Sequence, residues 1–393
     1  MKRIIFHVDV NNAFLSWTAV YLLNNGYGKD IRDIPSIIAG DEKTRHGIVL
    51  AKSPIAKKYG VVSAETIYSA KKKCPNLEIY PPQYDFYVEM SSKFYNYLKD
   101  YTPQIERASI DECFLDLTNT KYLYDDIMSL AYKIKNDIKN NFGFTVNVGI
   151  GNNKLCAKMA SDFLKPDKVH TLFMEEIKEK MWPLDVNNLL FVGKSTTNIL
   201  KSIGINTIGE LACINPDTLR KHFKNRTEDL INSANGIDDS MVVSDSHINK
   251  CISISRTLKE DTNDEKILKK ILLDMSDSVG LRARKKCLYA SNIAITFKTS
   301  SFKNISHQET LKISTNNTMD IYHKVLSLYD NIDKKEKIRN IGIRLGDLKA
   351  KQNEQVSLFD NKRKDDNLQK LIDNINSKYD NSVIMPAIFF EEK

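Results

Sequence analysis

Ser109-Ile110-Asp111-Glu112-Cys113-Phe114-Leu115-Asp116 places an acidic pair at the head of an apolar run, and Ile4-Ile5-Phe6-His7-Val8-Asp9-Val10 carries a further acid near its end. Both segments have the β-branched and aromatic content of buried strands. A carboxylate on a central strand is costly unless something neutralises it, and a divalent cation does so well. Asp9, Asp111 and Glu112 form a set of hard oxygen ligands suited to a pair of Mg²⁺ ions in phosphoryl transfer. Either segment alone reads equally as a polar strand end or a turn. Together they point to a site.

The chain has 393 residues, too many for one ordinary core, so more than one domain is expected. Its apolar fraction of 41% and charged fraction of 27% describe an ordinary globular composition. No apolar run reaches the ~18 residues of a membrane span. The first residues begin a charged strand and lack the long apolar run and small-residue cleavage site of a signal peptide. The six cysteines are scattered with no Cys-x-x-Cys pair, which argues against zinc and a disulfide framework and suits a reducing cytoplasm. Net charge is +8, and residues 251–350 hold 19 Lys+Arg against 12 Asp+Glu, a net of +7. That concentration suits a polyanion partner, although a solvated basic surface would look the same.

Along the chain, a strand over 3–10 leads into a helix at 13–24. Residues 25–82 read as a small mixed module ended by Pro81-Pro82. An amphipathic stretch at 84–98 precedes the Ser109 strand, a helix at 124–141, a strand at 144–150 and a helix at 153–164. This alternation with an inserted module suits a ferredoxin-like sheet, an architecture that nucleotide cyclases share. Residues 173–240 read as short helices with Gly-containing turns, and 238–249 as a polar linker. From 251 to 348, strand signals at 291–298 and 339–346 alternate with helix signals at 264–281 and 318–328. A short amphipathic helix is expected at 367–378.

The acidic segments resemble the metal-binding motifs of the Y-family translesion DNA polymerases (the DinB/UmuC group). The likeness continues in order through Tyr59-Gly60-Val61, Val146-Asn147-Val148-Gly149-Ile150, Asn153-Lys154-Leu155-Cys156-Ala157-Lys158-Met159-Ala160-Ser161-Asp162, Lys165-Pro166, Ile203-Gly204-Ile205-Asn206-Thr207-Ile208-Gly209 and Arg339-Asn340-Ile341-Gly342-Ile343-Arg344. The resemblance implies an α+β multidomain fold. A ferredoxin-like palm (1–18 and 83–172) carries inserted fingers (19–82), followed by a helical thumb (173–240), a linker (241–250), an α+β little finger (251–350) and a tail (351–393).

By the same resemblance, Asp9 and Asp111 bridge two Mg²⁺ ions, Glu112 holds the catalytic ion near the primer 3′-hydroxyl, and the Val10 carbonyl completes the nucleotide-side ion. Asp116, further along the strand, reads as structural. Phe14 falls on the steric gate that excludes a 2′-hydroxyl, against the plainer reading of a core-facing ring; Trp17 reads as core. Lys57 and Lys165 are the triphosphate candidates, with Lys57-Lys58 also readable as a solvated helix face. The family usually has Arg where Lys57 stands and Tyr where Pro54 stands, so the clamp lacks a guanidinium fork, and Ser53 or Lys52 could compensate. In the thumb the family's Gly-x-Gly hairpin is reduced to Gly193, leaving Lys194, Ser195 and Thr196 for DNA phosphates. Arg256, Arg284 and Arg344 are the little-finger candidates for DNA. Gln355-Val356-Ser357-Leu358-Phe359 resembles the pentapeptide that binds the bacterial sliding clamp (beta subunit), with Gln355, Leu358 and Phe359 as its anchors.

The expected function is low-fidelity DNA-directed DNA synthesis on primer-template DNA from dNTPs, by a monomer in the cytoplasm with no membrane contact. No segment outside the polymerase domains is large enough for a proofreading nuclease. A non-catalytic DNA and clamp adaptor with a degenerate polymerase fold is the rival; the three carboxylates and Phe14 argue against it. A nucleotide cyclase on the same sheet is disfavoured by the clamp motif and the basic last domain.

Overall fold

The computed structural model describes residues 3–41, 47–244, 250–332, 336–350, 362–379 and 384, with backbone alone for 362–367. The chain divides into two compact units, Met1–Ser246 and His247–Lys393.

The first unit is built on a five-stranded sheet of order β5-β6-β1-β7-β8. Its strands are β1 (Ile5–Val10), β5 (Ile105–Arg107), β6 (Glu112–Asp116), β7 (Val146–Gly151) and β8 (Val169–Leu172). β1 is antiparallel to both β6 and β7, and every residue of it is buried. That burial explains its nearly continuous apolar run, since a strand covered on both faces has no solvent side to mark.

Side-chain alternation sorts the two faces. Phe6, Val8, Val10, Cys113 and Leu115 pack in one cluster with residues of α4 (Tyr84–Lys99) and α5 (Ile127–Phe142). On the other face Ile5 and Phe114 meet Ala157 of α6 (Lys154–Asp162), and His7 meets Ser161 of the same helix. Asp9 and Glu112 belong to this α6 face. The helix comes close because β7 offers glycines there: a Cβ on Gly149 would stand 2.0 Å from the Ala157 carbonyl oxygen.

Between α1 (Ala13–Asn24) and α4 lies a smaller sheet of order β3-β2-β4, from β2 (Ser36–Ala39), β3 (Val49–Lys52) and β4 (Glu78–Tyr80), with α2 (Pro54–Lys58) and α3 (Ile67–Lys73). After β8 come the short helices α7 (Lys194–Ser202), α8 (Ile208–Ala212), α9 (Pro216–Phe223) and α10 (Thr227–Ala234). Their apolar residues share a core with Leu155, Cys156 and Met159 of α6.

The stretch expected to be a linker begins attached to this unit. Asp238 accepts a hydrogen bond from the Leu155 amide (3.0 Å), Arg3 donates to the Ser240 carbonyl (3.1 Å), and the Val243 amide donates to Glu106 (2.9 Å). Val242 is buried against Ile5, Phe114 and Ala157. The short apolar run Met241-Val242-Val243, set among Asp and Ser, carried no periodic signal. Residues 245–249 lie outside the described residues.

The second unit is a four-stranded antiparallel sheet of order β11-β10-β12-β9. It comprises β9 (Cys251–Thr262), β10 (Leu288–Thr299), β11 (Asn304–Thr315) and β12 (Ile338–Ala350), with α11 (Glu265–Lys285), α12 (Thr318–Asp330) and the tail helix α13 (Lys362–Asn376). The two edge strands, β9 and β11, were not anticipated. Both have few buried residues and many polar ones, which weakens the apolar alternation that announces a strand. Among the described residues, no helix is long and apolar enough to cross a membrane.

Candidate active site

Asp9 and Glu112 are direct cross-strand partners at the ends of β1 and β6. The Val10 amide donates to the Asp111 carbonyl at 3.0 Å, fixing the two strand ends together. The result is a pocket of about 300 Å³ lined by Asp9, Val10, Phe14, Asp111 and Glu112, with Asn12, Leu50 and Ala51 among its remaining walls. Residues more than 100 positions apart in sequence thus meet in one cavity.

Each carboxylate has a protein partner. Asp9 Oδ2 accepts from Lys165 Nζ at 2.7 Å, and the same ammonium reaches Asp162 at 2.7 Å. Glu112 Oε1 accepts from Lys158 Nζ at 2.6 Å, while its other oxygen stands 3.9 Å from His7 Nε2. Asp111 Oδ1 accepts from the Ser109 hydroxyl at 2.5 Å. Among the described residues, no group of three or more His, Cys, Asp or Glu side chains stands close enough together to cage a metal as they lie. Asp9 and Glu112 are turned towards lysines instead, and Asp111 towards Ser109.

Burial pushes the Asp9 carboxyl up to about 7, against the pull of Lys165. Glu112 is held below the usual carboxylate range by the His7 imidazole on one side and the Lys158 ammonium on the other. His7 is wholly buried, its Nδ1 is 2.8 Å from the Ser161 hydroxyl, and burial lowers its pKa, so the ring is neutral near pH 7. For Lys165, burial works downward, but the Asp9 charge and the bonds to Asp162 and Asp9 prevail and raise it.

A divalent cation suits this donor set. A carboxyl held near neutrality by burial, with an ammonium already 2.7 Å away, still lacks positive charge. Hard oxygens on two adjacent strand ends, open to a cavity, would accept that charge from such an ion.

Phe14 forms part of the cavity wall. It is half-buried and stacks on Tyr87, with ring centroids 4.8 Å apart and planes within 9°. Trp17 lies wholly in the core beside it. Asp116 is buried and accepts a hydrogen bond from the Thr118 amide (2.9 Å).

The other candidates divide. Lys57 is exposed on α2. Ser53 is wholly buried and its hydroxyl is consumed by the Ala56 amide (3.0 Å) and the Ser36 amide (3.2 Å), so it is not free to compensate for anything. Lys194 and Ser195 are exposed at the start of α7, whereas Thr196 is buried. In the second unit Arg344 is exposed and donates to Gln308 (2.9 Å), and Arg256 pairs with Asp274 (2.5 Å).

Arg284 corrects the expectation. Its guanidinium grips Asp373 of α13 through two bonds (2.6 and 3.0 Å) and donates to the Asn316 carbonyl (2.7 Å). With its side chain 10% exposed, it anchors the tail helix rather than facing a polyanion. Gln355, Leu358 and Phe359 lie outside the described residues.

Lys158 and His7 flank Glu112 although neither motif singles them out. The available signal was periodic: Lys154 and Lys158 stand one turn apart on a helix otherwise buried, where a lysine needs a partner.

The sequence matches the impB/mucB/samB family over residues 8–162 and that family's C-terminal domain over 249–358. It is 46% identical over 395 aligned positions to a DNA polymerase IV of Clostridium acetobutylicum, with all of both chains covered. It is 32% identical to DNA polymerase IV 2 of Bacillus subtilis, over 98% of this chain and 94% of that one. Among solved structures, a Y-family DNA polymerase chimera superposes with a TM-score of 0.78 at 23% identity, covering 88% of this chain and 100% of the chimera.

Proposed function

The chain belongs to the impB/mucB/samB family, the Y-family DNA polymerases, and from that premise we propose that it is a low-fidelity, DNA-directed DNA polymerase of translesion synthesis. The observation that carries this reading is the single cavity joining Asp9, Asp111 and Glu112 to Phe14. Phosphoryl-transfer ligands and a sugar-selecting ring in one cavity are what nucleotide addition needs. A non-catalytic adaptor would have no use for the arrangement.

Asp9, Asp111 and Glu112, with the Val10 carbonyl, would hold two Mg²⁺ ions, which when bound stabilise the charge on the attacking and leaving oxygens. Glu112 is kept ionised at its end of β6 by Lys158, next to the place of the primer 3′-hydroxyl. That hydroxyl attacks the α-phosphorus of the dNTP and pyrophosphate leaves. The flat face of Phe14, fixed by its stack on Tyr87, underlies the deoxyribose and leaves no room for a 2′-hydroxyl. Lys165 and Lys57 bind the triphosphate.

Residues 1–18 and 83–172 serve as palm, 19–82 as fingers, 173–240 as thumb and 251–350 as little finger. Lys194 and Ser195 at the start of α7, and Arg256 and Arg344 on the second unit, contact primer-template phosphates. The protein acts as a monomer in the cytoplasm and is recruited by the sliding clamp through Gln355, Leu358 and Phe359.

Primer extension on a defined template with dNTPs and Mg²⁺ tests the reading. Template-directed addition is expected, with synthesis across at least one lesion from a defined panel. A protein that binds DNA but adds nothing would be the adaptor, and template-independent turnover would indicate a cyclase.

A further inference from the structure

Asn147 of β7 is the cross-strand partner of Asp9, so the row Glu112, Asp9, Asn147 runs across three neighbouring strands. Its side chain is wholly buried in a strand that otherwise reads Val, Val, Gly, Ile and Gly. A primary amide there is costly unless its oxygen and nitrogen both find partners. Both do. Nδ2 donates to the carbonyls of Ser161 (2.9 Å) and Leu164 (2.7 Å), while Oδ1 accepts from the Lys168 amide (3.3 Å) and from Asn11 Nδ2 (3.1 Å).

These partners bracket one turn. Leu164 and Lys168 lie on either side of Lys165, and the buried Asn11 accepts from the Asp167 amide at 2.8 Å. The Asp167 carboxylate is held in turn by Lys135 (2.7 Å) and Lys139 (3.0 Å) of α5. Asp167 has a φ of 60°, a left-handed backbone that aspartate tolerates better than most residues. The turn is thus tied down at 161, 164, 167 and 168, and from it the Lys165 ammonium reaches Asp9 at 2.7 Å. A lysine stem is flexible, so its ammonium is placed only as well as its backbone is held. Neither Asn147 nor Asp167 is among the described residues that line the catalytic cavity.

We propose that Asn147 is a positioning residue for nucleotide addition: with Asn11 and Asp167 it fixes the 161–168 turn so that Lys165 meets the cavity at Asp9, and it sets nucleotide affinity through that lysine. The inference rests on the polymerase reading, in which Lys165 binds the triphosphate, and adds to it a strand residue that the acidic motifs do not contain. The ammonium passes from the Asp9 carboxylate to a phosphate oxygen by side-chain rotation alone, because the turn beneath it stays in place.

A double-mutant cycle tests it, comparing the parent chain with Asn147→Ala, Lys165→Ala and the two together. The cycle is repeated with Asp167→Asn, a milder cut that keeps the backbone shape and weakens the ties to Lys135 and Lys139. Two quantities are read at fixed Mg²⁺. One is KM against kcat for single-nucleotide insertion; the other is the dNTP dissociation constant on a dideoxy-terminated primer, where no bond can form. Asn147→Ala should weaken dNTP binding about five- to tenfold, with kcat within about twofold of the parent. Lys165→Ala should weaken it at least as much, and the double variant no further, because Asn147 then has no lysine left to place. Asp167→Asn should act in the same direction by less, should add nothing once Lys165 is gone, and decides the matter if Asn147→Ala does not fold. Losses that add, or dNTP affinity unchanged in both turn variants while their melting temperatures fall, make the amide purely structural and overturn the inference alone. A parent chain that adds no nucleotide on a template overturns the polymerase reading and this inference with it.

Discussion

Lys158 Nζ stands 2.6 Å from Glu112 Oε1, so a residue on α6 braces the head of β6 at a carboxylate that lines the cavity. The contact is possible because β7 presents glycine to α6, which lets the helix lie close on the sheet. A carboxylate held ionised and aimed in this way is ready to receive a cation.

Replacing Asp111 or Glu112 by Ala should abolish nucleotide addition while primer-template affinity stays within a few-fold of the parent. The charge that these groups help to stabilise develops only in the transition state, and basic contacts to DNA cannot replace it. Rapid-quench insertion and fluorescence anisotropy measure the two quantities separately. Near-normal insertion by both variants in Mg²⁺ would sink the assignment.

Asp9→Asn should stabilise the metal-free protein at pH 8. Burial raises the Asp9 carboxyl to about 7, above its ordinary 3.8, so the folded state holds a proton that the unfolded state has released. Stability from this group is therefore present at low pH and is lost as pH rises from about 4 to about 7. The gain from Asn should be on the order of 1–3 kcal/mol at pH 8, discounted for the Lys165 partner, and smaller at pH 5. Denaturant melts in EDTA at the two pH values measure it, and Mg²⁺ should narrow the difference. A destabilised variant at pH 8 would contradict the sign.

Phe14→Ala should admit ribonucleotides by lifting a clash, with a large gain in rNTP insertion and a smaller loss of dNTP efficiency. The stack on Tyr87 is lost with the ring, so stability should also fall by about 1–3 kcal/mol. Competition between dNTP and rNTP, analysed by alkaline cleavage of the product, measures the selectivity. If sugar discrimination is unchanged, Phe14 serves the core alone.

The catalytic strands were legible in the sequence because burial and function wrote conflicting signals at the same positions. Asp9 and Glu112 are acids in runs that otherwise demand Val, Ile or Phe, and no packing argument excuses them. The helix α4 was legible for the ordinary reason of apolar periodicity, and α6 is amphipathic as well, with Asn153 capping its start. What could not be read was whatever depends on partners far along the chain. Arg284 looked like one more cation in a basic segment, and its engagement with Asp373, 89 positions later, carries no local mark. Val242 likewise finds its apolar neighbours at Ile5 and Phe114, and β9 and β11 take their strand character from ladders rather than from side chains.

Arg284→Ala should loosen α13 while leaving DNA affinity and its salt dependence nearly unchanged. The guanidinium is shielded and bonded at both ends, so its removal strands Asp373 and the Asn316 carbonyl, at a cost of about 1–3 kcal/mol. A residue in contact with a DNA phosphate would instead lower the log–log salt slope by roughly 0.9. Limited proteolysis within 362–376 should accelerate in the variant. A lower salt slope with the tail still protected would return Arg284 to the DNA interface.

Changing Leu358 and Phe359 together to Ala should abolish binding to the sliding clamp without altering extension on a short, clamp-free primer. Two apolar side chains entering a pocket can carry most of such a peptide's affinity, at about 1.5–3 kcal/mol each when fully buried. The cavity that holds Asp9 and Glu112 is lined by residues between 9 and 112 alone, so the chemistry should not register the change. Stimulation by loaded clamp should vanish, while the rate of single-nucleotide insertion stays at the parent value. Surface plasmon resonance against immobilised clamp measures the first effect and rapid-quench insertion the second. If the double variant binds clamp as tightly as the parent, the pentapeptide is a chance match and recruitment must come from another surface.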